Sequence, residues 1–155
     1  MPNFIGEFDC KLDAKGRVMI PVALKDQLPG AGSEGLVINR GFEKHLTIYT
    51  RKEWDRITEE LNKLNQYERK VRQFIRYFNR GAMVLKLDAA GRVILPKSLL
   101  EYAGIEADVV LFAHSNKIEV WAQDAYDGQL DNEPENFADL AEEVLGGNVG
   151  RGNDE

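Results

Sequence analysis

Asp13 and Arg17, four residues apart with a glycine between them, recur as Asp88 and Arg92, and these pairs are the strongest candidates for chemistry in the chain. An aspartate can accept from a guanidinium and hold it in one orientation, and a held guanidinium can fork onto two acceptors of a phosphate or a base edge. The spacing would suit an ion pair along a helix, but Gly16 and Gly91 stand inside it and argue against one. A turn fits better, because each glycine follows a polar cluster where the backbone needs a positive φ that a Cβ would penalise. On one reading each Asp–Arg pair only pins its turn. On the other, Asp13 and Asp88 orient Arg17 and Arg92 at exposed tips towards DNA, and Lys15 adds a phosphate contact. Ala90 stands where the second copy would need that lysine, so the two tips are expected to be unequal.

Both pairs lie in a ten-residue phrase that occurs twice, LDAKGRVMIP at 12–21 and LDAAGRVILP at 87–96. Seven of the ten positions are identical and two more exchange one aliphatic residue for another. Such fidelity means an internal duplication, and with two copies the expectation is paired half-domains rather than a solenoid. After each arginine the aliphatic run reads as a short buried strand. Pro21 and Pro96 then suit the first position of a helix, where a missing N–H costs nothing.

The elements around the phrases follow from pattern. Residues 4–12 alternate as a strand, and a short helix at 22–28 stops at Pro29-Gly30. Strands are expected at 36–39 and 46–49. Thr50 with Glu53 forms a capping-box signature, and Trp54, Ile57, Leu61 and Leu64 follow at helical spacing. A second helical pattern places Val71, Phe74, Ile75 and Phe78 on one side and Arg69, Arg72, Arg76 and Arg80 on the other, a stripe suited to DNA or to a subunit interface. The second half repeats the order, with a helix at 97–103 and strands at 109–113 and 118–121. Phe137, Leu140, Ala141, Val144 and Leu145 make a last helical face between Asn136 and Gly146-Gly147, and 148–155 is polar and glycine-rich enough to be disordered.

Charge is divided unevenly. The net charge of −6 hides 16 Lys and Arg against 11 Asp and Glu in residues 1–86, and 4 against 15 in residues 87–155. Residues 69–86 carry six basic side chains and no acid, an asymmetry that points to polyanion binding. No apolar run approaches 18 residues and no charged-then-apolar leader opens the chain, so neither a membrane span nor a secretory signal is expected. Cys10, the single cysteine, reads as a small strand residue compatible with a reducing cytoplasm. No phosphate loop, dinucleotide fingerprint or nucleophile elbow is present. His45 and His114 lack a cysteine or acidic cluster at metal-ligand spacing. An enzyme, a resident metal and a cofactor are therefore not expected, and Trp54, Tyr77, Phe78 and Trp121 read as core.

The tandem LDxxGRxxxP phrases, with FIG at 4–6, RKEWDRI at 51–57, the basic stretch, and LLEYAGIEADVVLFAHSNKIEVW at 99–121, resemble the MraZ family of bacterial transcriptional regulators within the SpoVT/AbrB-type superfamily. The resemblance spans roughly residues 4–126. It implies an α+β fold of duplicated swapped-hairpin, AbrB-like β-barrel half-domains at 4–50 and 81–127 with connecting helices at 51–80; beyond it, composition and pattern give an acidic C-terminal helix and tail at 128–155. It further implies a ring-like homo-oligomer at the nucleoid in the cytoplasm. Such a ring would bind short direct repeats of promoter DNA through Arg17, and through Arg92 by the repeat, as a repressor of its own cell-division and cell-wall operon. Two other functions fit the sequence: an AbrB-like antitoxin using the acidic tail, for which the duplication is unusual, and a ring scaffold without a nucleic-acid role. One departure from the family pattern is Ile5, where an arginine is usual, so any contact made by that arginine is absent.

Overall fold

Short apolar runs between turn signals form the strands, and longer runs with a 3.6-residue period form the helices. The computed structural model describes residues 2–131 and 136–146. In chain order the first copy gives β1 (Phe4–Lys11), β2 (Arg17–Met19), α1 (Val22–Lys25), α2 (Ala31–Glu34), β3 (Leu36–Arg40) and β4 (Leu46–Thr50). Two helices follow, α3 (Arg51–Asn62) and α4 (Arg69–Asn79). The second copy gives β5 (Met83–Leu85), β6 (Arg92–Ile94), α5 (Lys97–Ala103), β7 (Asp108–Ser115) and β8 (Lys117–Ala122). Residues up to Gln123 form one compact unit and those from Asp124 another. The second unit contains most of α6 (Gln123–Asp131), α7 (Phe137–Ala141) and a π-helical turn, Glu142–Gly146. Asn136 caps α7 by accepting from the Asp139 N–H at 3.2 Å, and the expected face of Phe137, Val144 and Leu145 is exposed. The stretch 148–155 lies outside the described residues.

The first unit is α+β, with a six-stranded antiparallel sheet in the order β1-β7-β8-β4-β3-β5 and a two-stranded ribbon, β2-β6. Exchanging equivalent strands of the two copies (β1 with β5, β3 with β7, β4 with β8) turns that order into its own reverse. The copies are thus related by a local twofold, with Thr47 opposite Glu119 in the sheet and Val18 opposite Val93 in the ribbon. The first strand of each copy pairs with the hairpin of the other, β1 with β7 and β5 with β3. That exchange is the swapped hairpin the resemblance implied. The strands do not close into a barrel: the sheet ends at β1 on one side and at the three-residue β5 on the other. A strand that short offers too few ladder hydrogen bonds to close against an eight-residue edge.

The core is aliphatic, with Leu36, Ile38, Leu46 and Ile48 from the first hairpin meeting Val109, Leu111, Ile118 and Val120 from the second, all fully buried. Several local expectations are refined. Pro21 and Pro96 cap α1 and α5 from the residue before the first turn rather than within it. The helix expected over 22–28 is regular only through Lys25. Thr50 Oγ1 accepts from the Glu53 N–H at 3.2 Å, but the Glu53 carboxylate turns away to Arg56 and Asn116, so only half of the capping box forms. Trp54 stacks on Phe78 with centroids 5.3 Å apart and Trp121 is buried, whereas Tyr77 is exposed because α4 buries no residue fully. No helix of the described residues is long and apolar enough to cross a membrane.

Ile48 and Ile94 separate the two environments that aliphatic residues occupy here. Ile48→Ala should cost about 2–5 kcal/mol in urea denaturation, the usual range for an isoleucine cut back in a closed core. Ile94→Ala should stay within about 0.5 kcal/mol of the parent.

Candidate nucleic-acid interface

The site is built from the two repeated turns and the ribbon between them. In the first turn the Gly16 N–H donates to the Asp13 carbonyl at 3.0 Å and the Asp13 N–H to the Arg17 carbonyl at 2.9 Å. The second turn repeats both bonds, Gly91 to Asp88 at 3.0 Å and Asp88 to Arg92 at 2.9 Å. Gly16 and Gly91 take φ of 78° and 84°, the left-handed region expected of them.

Each aspartate uses its two oxygens differently. Asp13 Oδ1 accepts the N–H groups of Lys15 and Arg17, both at 2.9 Å, and Oδ2 accepts Arg17 Nε at 2.6 Å. Asp88 Oδ1 accepts Ala90 and Arg92 at 2.9 and 2.8 Å, and Oδ2 accepts Arg92 Nε at 2.9 Å. The arginine N–H is the main influence holding each carboxyl below its ordinary range; desolvation opposes it, and the guanidinium and the third N–H add to the lowering. A guanidinium has five N–H donors. These bonds take the one on Nε and leave the four on the Nη nitrogens.

Pairing of β2 with β6 then sets where the arginines face. Arg17 lies opposite Ile94, Val18 opposite Val93, and Met19 opposite Arg92. Residues opposite one another, or two apart on one strand, share a face. Arg17, Met19, Arg92 and Ile94 therefore make one face, with the arginines on a diagonal, while Val18 and Val93 are 0% and 1% exposed on the other. Reciprocal bonds from Ile20 N–H to the Gly91 carbonyl and from Leu95 N–H to the Gly16 carbonyl, both 3.0 Å, tie each turn to the other copy's strand.

Reading the aliphatic run as wholly buried missed half of this face: Met19 is 48% and Ile94 60% exposed. The period of two about Val18 and Val93 is the signal that finds them. The arginine side chains are less free than a tip would make them, 26% exposed at Arg17 and 33% at Arg92. Above Gly91 lies the amine of Lys25, from α1 of the other copy.

Other candidate residues are placed apart from the ribbon. Arg69, Arg72, Arg76 and Arg80 are exposed along or at the end of α4. Arg72 is engaged within the chain, its Nη1 donating to the carbonyls of Gln66 and Tyr67 at 3.0 and 2.8 Å. His45 is buried and stacked on Trp121, and His114 Nε2 lies 2.7 Å from Glu119. Among the described residues no group of three or more His, Cys, Asp or Glu side chains is placed to hold a metal ion.

Comparison with known proteins bears on this geometry. The family model described as "MraZ protein, putative antitoxin-like" matches residues 3–76 and 78–147. A protein of Christiangramia forsetii named transcriptional regulator MraZ is 43% identical over 147 residues, covering 94% of this chain and 95% of its own. Proteins of the same name from Flavobacterium psychrophilum and Cytophaga hutchinsonii are 42% and 37% identical, each over 94% of this chain and over 94% and 96% of their own.

The turns predict an acid dependence. Asp13 and Asp88 have lowered values in the fold, so their contribution is complete above the unfolded carboxylate value, near 3.8, and is lost as pH falls through the lowered folded values. The double variant Asp13→Asn/Asp88→Asn should melt below the parent at neutral pH, and the gap should narrow as melting is followed into acid. A gap constant with pH would mean that the carboxylate charge does not hold the turns.

Proposed function

The chain belongs to the MraZ family, and on that footing we propose that it regulates transcription by binding double-stranded DNA through the ribbon face that carries Arg17 and Arg92. The observation that carries this reading is the diagonal pair of arginines on one face of a two-stranded antiparallel ribbon, each held through Nε with its Nη nitrogens left for a ligand. A β-ribbon can lie in the major groove. An arginine there can fork onto guanine O6 and N7, the commonest specific base contact. Lys15, exposed in the first turn, supplies a phosphate contact. The names of the relatives support the regulatory role.

The finer reading is the one that the resemblance to the family implies. The chain acts as a ring-like homo-oligomer that represses its own cell-division and cell-wall operon from short direct repeats, in the cytoplasm at the nucleoid. Rotation about a ring axis presents the same ribbon again in the same sense, which suits direct rather than inverted repeats. Half-domains at 4–50 and 81–127 supply the ribbon, and the helices at 51–80, with Arg69, Arg76 and Arg80, supply further DNA or subunit contacts. A second reading, an antitoxin that binds DNA and neutralises a toxin with its acidic segment, draws on the family model's description.

A gel shift on the DNA upstream of the protein's own gene tests the main reading and separates it from a scaffold. Arg17→Ala should lose roughly 1–3 kcal/mol per base contact, compounded across a ring to near-complete loss, with folding intact. Normal binding by that variant would remove Arg17 from the interface. Light scattering at micromolar concentration should give a mass several times that of one chain; a monomer would refute the ring.

A further inference from the structure

Repeat symmetry gives every residue near one turn a counterpart near the other, but not always one of the same kind. Position 15 of the first turn is lysine and its counterpart, position 90, is alanine. Position 25, in α1, is lysine and its counterpart in α5, position 100, is leucine. Because the copies interlock, each helix packs over the turn of the other copy. A Cβ built on Gly16 would lie 3.7 Å from Leu100 Cδ1, and one built on Gly91 would lie 3.4 Å from Lys25 Nζ. The first turn thus has a lysine within it and a leucine over it, and the second has an alanine within it and a lysine over it.

We propose that Lys25 is a DNA phosphate contact of the second turn, replacing in space the cation that Ala90 lacks in sequence. This inference rests on the DNA-binding reading above and assigns it a residue. The Lys25 amine stands beside Gly91, the neighbour of Arg92, in a position to bind the backbone next to whichever base edge Arg92 meets. It is exposed, and among the described residues it belongs to no ion pair. The carboxylate of this turn, Asp88, is already occupied by two N–H groups and by Arg92 Nε. A compact ammonium on a long stem suits a phosphate oxygen, a contact that fixes position and register rather than sequence. The two ends of the ribbon then carry one arginine and one lysine each, and the inequality expected from Ala90 disappears at the level of charge.

Fluorescence anisotropy of the full chain, titrated with salt, tests this on two probes: the duplex directly upstream of the gene and a random-sequence duplex of equal length. Each phosphate contact contributes about 0.9 to the log–log salt slope. Lys25→Leu, which copies position 100, should shallow the slope by about that amount per engaged chain on both probes, as should Lys15→Ala, and their double variant should lose about twice as much. Adding Ala90→Lys to Lys25→Leu makes the second turn a replica of the first and should restore the slope. Thermal melting of all four should match the parent. If Lys25→Leu keeps the parental slope while Arg17→Ala loses the upstream duplex, the Lys25 contact is refuted and the DNA reading stands. A weaker Lys25→Leu protein with an unchanged slope, or one not restored by Ala90→Lys, refutes the contact as well. A parent that binds neither probe at low salt refutes both.

Discussion

Pairing of Val18 with Val93 at the centre of the β2–β6 ribbon is the contact on which the site depends. Both valines are closed off from water, and a strand has a period of two, so their burial commits the residues on either side to the opposite face. A slip of one residue would bring both valines into solvent and carry Arg17 or Arg92 inward, where an unpaired charge is too costly to hold. Register is therefore set by a hydrophobic pair, and the placement of two cations follows from it. The same contact joins the copies: within its own half β2 makes only the single bridge from Val18 to Leu12 among the described residues, so the two-stranded ribbon exists only when both halves are folded together.

The turns add orientation to that placement. An ion pair at the surface contributes little to stability, because water screens it and ordering two side chains costs entropy. Its consequence here is geometric. Asp13 and Asp88 bind backbone N–H groups with one oxygen and Nε with the other, so the oxygen that aims the arginine belongs to a carboxylate already held by the turn. The glycines make the turn possible and the aspartates make it direct a side chain.

Charge acts on a longer scale. The second half of the chain is strongly acidic, yet Arg92, one of its few basic residues, sits on the ribbon beside a strand of the basic half. Lys25 reaches the same end from the first copy. Interlocking thus brings cations of the basic half to both ends of the ribbon, and net charge along the sequence says little about charge across that face. The basic stripe on α4 differs: its arginines are exposed on a helix that buries no residue fully, and Arg72 is spent on the carbonyls of the preceding loop.

The duplication, the two Asp–Gly–Arg turns, the left-handed glycines, the Thr50 cap and nearly all the strands were legible in the sequence. The duplication is a plain identity of two phrases, and each of the others depends on residues within a few positions of one another, where backbone sterics and hydrogen bonding act without help from the rest of the chain. The exchange of hairpins was legible only through the family resemblance, and the open sheet, the exposure of Met19 and Ile94, and the amine of Lys25 over Gly91 were not legible at all. Those depend on which strand of one copy lies against which strand of the other, between residues about 45 to 111 positions apart. A short aliphatic run reads the same whether it is covered on one face or on two; only the partner strand and the layer behind it decide. The sequence by itself determined what each turn could hold, and the tertiary structure decided that the two turns would flank one ribbon face, because burial of Val18 against Val93 left the arginines only one side.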